Sequence, residues 1–280
     1  MTTLDKRLNV YRPDLADARL RGRVEAPAFA DGLLMQVVTP IVSVYREPRA
    51  DAMQLTQSLL GETLRVFDIA DGWAWVQLTA DRYVGYVMAN ALSDEVTAPT
   101  HRVSVPSTLV YPRPNLKTQP AIPVTMNARV TVTGTDGAFS WLADDRFIYS
   151  AHLKLLGENE TDFVSVAEMF RHVPYYWGGK SVHGLDCSGL VQLSLEACGL
   201  SCPRDSDMQE SLGQPLMVND LDTLARGDLV FWKGHVGIMA SNETLLHANG
   251  HHMMVVAEPL REAVTRIAAT GSEVTHIRRL

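Results

Sequence analysis

One cysteine and two histidines stand out by their settings. Residues 184–189 read Gly-Leu-Asp-Cys-Ser-Gly, residues 234–238 read Gly-His-Val-Gly-Ile and residues 246–249 read Leu-His-Ala-Asn. A thiol, an imidazole to take its proton and a third group to orient that imidazole are the parts of nucleophilic catalysis. Asp186 is a good N-cap residue and Gly184 permits a sharp entry, so Cys187 is expected in the first turn of a helix. There the positive helix end is expected to lower the thiol pKa toward the reactive thiolate. His235, with Gly234 and Gly237 around it, is the expected general base. His247 is the residue expected to hold His235 in the useful tautomer. Taken singly, a cysteine is more often a buried structural thiol and a histidine more often a satisfied scaffold residue. The three together favour catalysis.

Two neighbouring stretches add polar groups. Pro-Tyr-Tyr-Trp-Gly-Gly at 174–179 precedes the cysteine. Its bland reading is a packed aromatic loop, above all for Tyr176 and Trp177. Its sharp reading gives Tyr175 a hydroxyl for a developing oxyanion, beside the backbone N–H of Cys187. Pro-Arg-Asp-Ser-Asp-Met-Gln at 203–209 is either a turn with a helix cap or a binder of substrate carboxylate. A zinc site is the competing chemistry, because Cys198 and Cys202 stand four apart and His251-His252 lie near His247. Gly199 separates the two cysteines and there is no Cys-x-x-Cys pair, so no metal and no cofactor are expected.

The whole chain sets the frame. Its 280 residues exceed one average domain. A composition 46% hydrophobic and 20% charged suits a soluble globular protein. The formal net charge of −7 argues against nucleic-acid or anionic-membrane partners. Three cysteines make no disulfide framework. No apolar leader opens the sequence, and no run of about 20 apolar residues could span a bilayer. A reducing cytoplasm is therefore expected, where a catalytic thiol stays reduced.

Residues 15–23 are helix-permissive, with a break at Ala26-Pro27. Strands are predicted at 35–38, 41–45, 64–69, 73–78 and 83–87, with Asp71-Gly72 and Asp81-Arg82 as tight turns. These short strands suggest a small barrel. A weaker copy is read at 102–105, 128–134 and 139–142, again with an Asp-Gly turn at 136–137. Helices are predicted at 162–172 and 186–198, the second stopped by Gly199. Strands follow at 228–232, 236–240, 244–248, 253–256 and 274–278. Helices before antiparallel strands is an α+β order. The expected layout is an N-terminal segment (1–33) packing on the barrels, two β units (34–97 and 98–157) and an α+β domain (158–280).

Six blocks in order resemble the NlpC family of bacterial cell-wall cysteine peptidases. They are Pro-Tyr-x-Trp-Gly-Gly (174–179), Asp-Cys-Ser-Gly (186–189), Pro-Arg-x-Ser-x-x-Gln (203–209), Gly-Asp-Leu-Val-Phe (227–231), His-Val-Gly-Ile (235–238) and Leu-His-Ala (246–248). The upstream units resemble tandem bacterial SH3-like domains, through Asp-Gly-Trp-Ala-Trp-Val (71–76) and Asp-Arg-Tyr-Val-Gly-Tyr-Val (81–87). The resemblance implies a multidomain chain, two small all-β SH3-like barrels followed by an α+β papain-like peptidase domain. It implies Cys187 as nucleophile, His235 as base, His247 as third member and Tyr175 as oxyanion helper. Asp186, Ser188, Ser206 and Trp177 match positions lining the substrate site, and Arg204 is a candidate reader of a second substrate carboxylate.

The implied reaction is hydrolysis of the γ-D-glutamyl-diamino acid bond in murein stem peptides. Chains of this build resemble recycling enzymes of the dipeptidyl-peptidase VI type, which require a free N-terminal L-alanine. In those enzymes the SH3-like domain closes one end of the groove and holds the substrate ammonium. Glu47 and Tyr83, with Asp186, are the candidates here, since carboxylates and a phenolic oxygen suit a buried ammonium. Three other readings stay open. They are an endopeptidase on polymeric peptidoglycan, a peptide-binding module with a dead peptidase domain, and an acyltransferase or amidase on the same scaffold. Neither the preferred diamino acid nor the oligomeric state can be read from the residues.

Overall fold

The computed structural model describes residues 4–218 and 221–280. The chain divides at Leu156/Gly157 into two compact units. Among the described residues, no helix is long and apolar enough to cross a membrane.

The first unit is built from strands. Leu33–Val37, Ile41–Tyr45, Gln54–Leu59, Thr63–Ala70, Trp73–Leu78, Val84–Met88 and Leu92–Ser93 make one seven-stranded antiparallel sheet. Alternation puts Val42 and Val44, then Leu64 and Val66, on its buried side. Asp71 and Gly72 both have positive φ (50° and 79°), which the two-residue hairpin turn between Thr63–Ala70 and Trp73–Leu78 requires. The stretch 15–23 departs from its helix-permissive reading. Leu15–Asp17 pairs in parallel with Ala28–Ala30, and Asp17 caps a short 3-10 turn. Val10 is buried among Phe67, Trp75 and Val84, so the N-terminal residues gain more by covering this sheet than by coiling alone.

Further along, a five-stranded and a three-stranded sheet enclose Val103, Val110, Val124, Leu142 and Ile148. The single strand predicted at 128–134 is two, Arg129–Val130 and Val132–Asp136, in different sheets. Thr131 leaves the ladder. Its hydroxyl bonds the Ala98 carbonyl, and its own carbonyl accepts from Ala143 N–H.

Among its described residues the second unit holds four α-helices: α1 (Phe163–Glu168), α2 (Cys187–Ala197), α3 (Ser206–Gln209) and α4 (Leu260–Ala268). Its six-stranded antiparallel sheet runs in the order Gln214–Leu216, Val274–Arg279, Leu229–Trp232, His235–Met239, Thr244–Asn249, Met254–Pro259. α2 packs on α1 and on the His235–Met239 and Thr244–Asn249 strands, and α4 on Thr244–Asn249 and Met254–Pro259. α2 is buried along its whole length but for Glu196, with the polar Ser188, Gln192 and Ser194 enclosed among its apolar residues. Gly199 (φ +73°) ends it in the left-handed conformation. α1 stops at Glu168, short of the predicted 172, and His172 has φ +71°. α4 was absent from the sequence reading, although Leu260, Ala263, Val264 and Ile267 carry helical spacing and pack into the core with Val230 and Trp232.

Candidate active site

α2 starts at the cysteine because Asp186 stops the chain there. Its Oδ1 accepts from Gly189 N–H at 2.7 Å, the N-cap bond that satisfies one unpaired donor of the first turn. Asp186 does more than cap. Oδ2 accepts from Gly178 N–H at 2.8 Å, and the guanidinium of Arg204 grips both oxygens at 2.9 and 2.7 Å. Arg204 also donates to the Ser188 hydroxyl at 2.8 Å and is 1% exposed. This corrects the expectation that Arg204 reads a substrate carboxylate, because its charge is matched inside the fold.

The 174–179 loop presses against this helix start. A Cβ on Gly189 would stand 2.2 Å from the Gly179 carbonyl oxygen, and one on Gly184 would stand 2.3 Å from Tyr176 Cβ. Only glycines allow that approach. Tyr175 is held from outside by its N–H to the Met253 carbonyl, 2.9 Å. Its phenol is half-buried, close enough to Cys187 and Asp186 to feel their charge. Burial, then those charges, push its pKa above the ordinary 10.0, so it remains a donor.

Cys187 is buried, and the backbone N–H of Val236 meets its sulfur. That contact brings the thiol to the residue after His235. Burial, helped by Asp186, pushes the thiol up to about 12, while the N–H groups of Val236 and Ser188 and the Arg204 charge pull the other way. The sequence expectation of a pKa lowered by the helix end is therefore reversed in the closed site. Desolvation is the largest cause. His235 is treated likewise. Burial draws its pKa down to about 3, and His247 and Arg266 add to this.

His235 Nε2 lies 2.8 Å from His247 Nδ1. His247 is 1% exposed, and its Nε2 lies 2.6 Å from Glu258 Oε1. Arg266 closes the chain, donating to both Glu258 oxygens at 2.5 and 2.7 Å. A buried thiol beside a histidine whose far nitrogen is anchored can make and release a covalent acyl intermediate. Among the described residues, no three His, Cys, Asp or Glu side chains converge to hold a metal ion.

Residues 172–271 match the model of the NlpC/P60 family, and residues 44–92 match that of the bacterial dipeptidyl-peptidase Sh3 domain. The chain is 26% identical over 237 residues to a protein of Bacillus cereus named gamma-D-glutamyl-L-lysine dipeptidyl-peptidase, covering 73% of this chain and 70% of that one. It is 26% identical over 268 residues to Dipeptidyl-peptidase 6 of Lysinibacillus sphaericus, covering 84% and 98%. A crystal structure of an NlpC/P60 family protein from Bacillus cereus superposes with a TM-score of 0.75 at 20% identity, over 88% of this chain and 99% of that one. The two matches fit a multidomain layout, with the SH3-type segment ahead of the NlpC/P60-type segment.

The segment matched by the NlpC/P60 model contains Cys187, His235, His247 and Tyr175 together with Asp186, Ser188, Ser206, Arg204 and Trp177. Ser188 is buried and its hydroxyl faces Asp186 at 3.3 Å. Ser206 opens α3 and is half-buried, and Trp177 is exposed. Tyr83 and Glu47 lie in the first unit. Tyr83 is buried, with its N–H on Asp81 Oδ1 at 3.0 Å. Glu47 is exposed, and Arg49 matches its charge at 3.0 Å. Glu258 and Arg266 were missed by sequence reasoning. The available signal was strand register: His247 pairs with Val256, so Glu258 is its diagonal neighbour on the same face.

Proposed function

We propose that this chain is a cysteine peptidase that hydrolyses the γ-D-glutamyl-diamino acid bond of free murein stem peptides bearing an N-terminal L-alanine. One observation carries the chemistry: the Cys187 thiol lies against the N–H that follows His235, and His235 is anchored through His247. The relatives' names, gamma-D-glutamyl-L-lysine dipeptidyl-peptidase and Dipeptidyl-peptidase 6, support the bond and the free amine.

In the proposed reaction both groups rest neutral. On substrate entry the thiol proton passes to His235 Nδ1 as sulfur attacks the γ-glutamyl carbonyl. The new oxyanion takes hydrogen bonds from the Tyr175 hydroxyl and the Cys187 N–H. His235 then gives its proton to the departing amine, and a water activated by the same imidazole hydrolyses the thioester. Asp186 and Arg204 keep the start of α2 rigid throughout.

The test is mass spectrometry of products from L-Ala-γ-D-Glu-meso-diaminopimelate and from the L-lysine peptide, each beside its N-acetylated form. Release of L-Ala-D-Glu from free-amine peptides alone is the expected result, abolished by Cys187→Ala. Equal cleavage of acetylated peptides would turn the reading to an endopeptidase on polymeric peptidoglycan. Cleavage of none, or full activity in Cys187→Ala, would end it.

A further inference from the structure

We propose that Glu258, clamped by Arg266, is a positioning residue that selects the His235 tautomer able to deprotonate Cys187, acting through His247. The inference rests on the cysteine peptidase reading above and adds a fourth and a fifth member to its site.

The hydrogen positions follow by elimination along a line of four side chains. An ionised carboxylate only accepts hydrogen bonds. Arg266 donates to both oxygens of Glu258, so Glu258 stays ionised. The hydrogen between Glu258 Oε1 and His247 Nε2 therefore sits on His247 Nε2. A neutral His247 then has a bare Nδ1, which must accept from His235 Nε2. With its hydrogen on Nε2, a neutral His235 has its lone pair on Nδ1. That is the nitrogen left over for the thiol proton. Without Glu258 the line can run in reverse, with His247 donating from Nδ1 and His235 carrying its hydrogen on Nδ1. In that tautomer it is no base toward the cysteine.

The elements that hold the line suit this role. His247 and Glu258 occupy adjacent paired strands, Thr244–Asn249 and Met254–Pro259, and Arg266 stands on α4 directly after them. His247 is nearly sealed, whereas Glu258 and Arg266 sit at the rim with side chains 11% and 26% exposed. The rim position spares the carboxylate a full desolvation cost while its charge reaches inward. Other charged or titratable groups near the line are His252, with Nδ1 3.9 Å from Glu258 Oε1, Glu262, which acts on Arg266, and Lys233 and His251, which line one pocket with His235, His247 and Arg266.

The test reads tautomers and kinetics separately. Long-range proton–nitrogen NMR of the full chain is expected to show His235 and His247 both protonated on Nε2 in the wild type. Glu258→Ala is expected to move the His235 hydrogen to Nδ1 in a substantial fraction of molecules. The same variant is expected to lose 10-fold or more in kcat with KM little changed, and Glu258→Asp to recover part of it. The acid limb of kcat/KM should also move to lower pH, because removing a negative charge makes His235 harder to protonate. Wild-type tautomers of the opposite sense, or a Glu258→Ala protein with unchanged tautomers and kcat, would overturn the inference. Should Glu258→Ala fail to fold, Arg266→Met applies the same test from the other side of the carboxylate. Because NMR needs no substrate, a wild type inactive on every stem peptide would sink the proposed function and leave the tautomer result standing.

Discussion

In the proposed reaction the Cys187 thiol and the His235 imidazole exchange a proton, yet burial holds each of them neutral. Charges that are costly singly are less costly as a pair, so the transfer is coupled to attack. This places weight on groups that stabilise charge only as it develops. Tyr175 is one. Its pKa lies above the ordinary phenol value, so it donates across the working range. Tyr175→Phe is expected to lower kcat by about 100-fold with KM nearly unchanged, the usual effect of losing one oxyanion donor. Steady-state kinetics on the free tripeptide checks this, and a change in KM alone would remove Tyr175 from the oxyanion.

At the scale of elements, the start of α2 is the point on which the site depends. Asp186 caps the helix, anchors the 174–179 loop through Gly178 and neutralises the buried Arg204. Asp186→Ala removes all three. A lost cap costs about 1 kcal/mol, and a buried charge left without its partner costs about 3–5 kcal/mol. The variant is expected to unfold at clearly lower urea concentration. The double variant Asp186→Ala, Arg204→Met should recover most of the larger part, since it removes the stranded charge. Equal midpoints for the single and double variants would mean that Arg204 finds another partner. The helix boundaries at 187 and near 198 were legible from Asp186 and Gly199, because capping is local chemistry. Residues 15–17 were misread for the opposite reason: their strand exists only because Ala28–Ala30 lies alongside.

Across the whole molecule, several groups bind fewer protons folded than unfolded. His235 falls from 6.5 to about 3, Glu258 falls below 4.5 and Asp162 falls from 3.8 to about 2. The unfolded chain therefore takes up protons that the folded one refuses as pH drops. Stability from these groups is complete above about pH 6.5. It declines from there as His235 resists charging, and more steeply below about 4.5 as the carboxylates join. Cys187 acts at the alkaline end. Its pKa rises from 9.0 to about 12, so its share is complete below pH 9 and is lost between 9 and 12. Urea midpoints measured from pH 4 to 10 should form a plateau between about 6.5 and 9 with a fall on either side. A midpoint unchanged from pH 8 to 4 would show that the histidines are not buried neutral in solution.

Local chemistry in the chain was enough to single out Cys187, His235 and His247 as candidates, and to read the capped start of α2 and the hairpin turn at Asp71-Gly72. Each depends on residues within a few positions, so type and spacing suffice. Tertiary structure alone decided three things. Arg204 became an internal counter-ion because α2 and the 203–209 loop meet. Glu258 and Arg266 joined the histidines because strand register and the placement of α4 put them in line. The direction of the Cys187 pKa followed from desolvation, which depends on everything packed around a thiol and not on the helix that carries it.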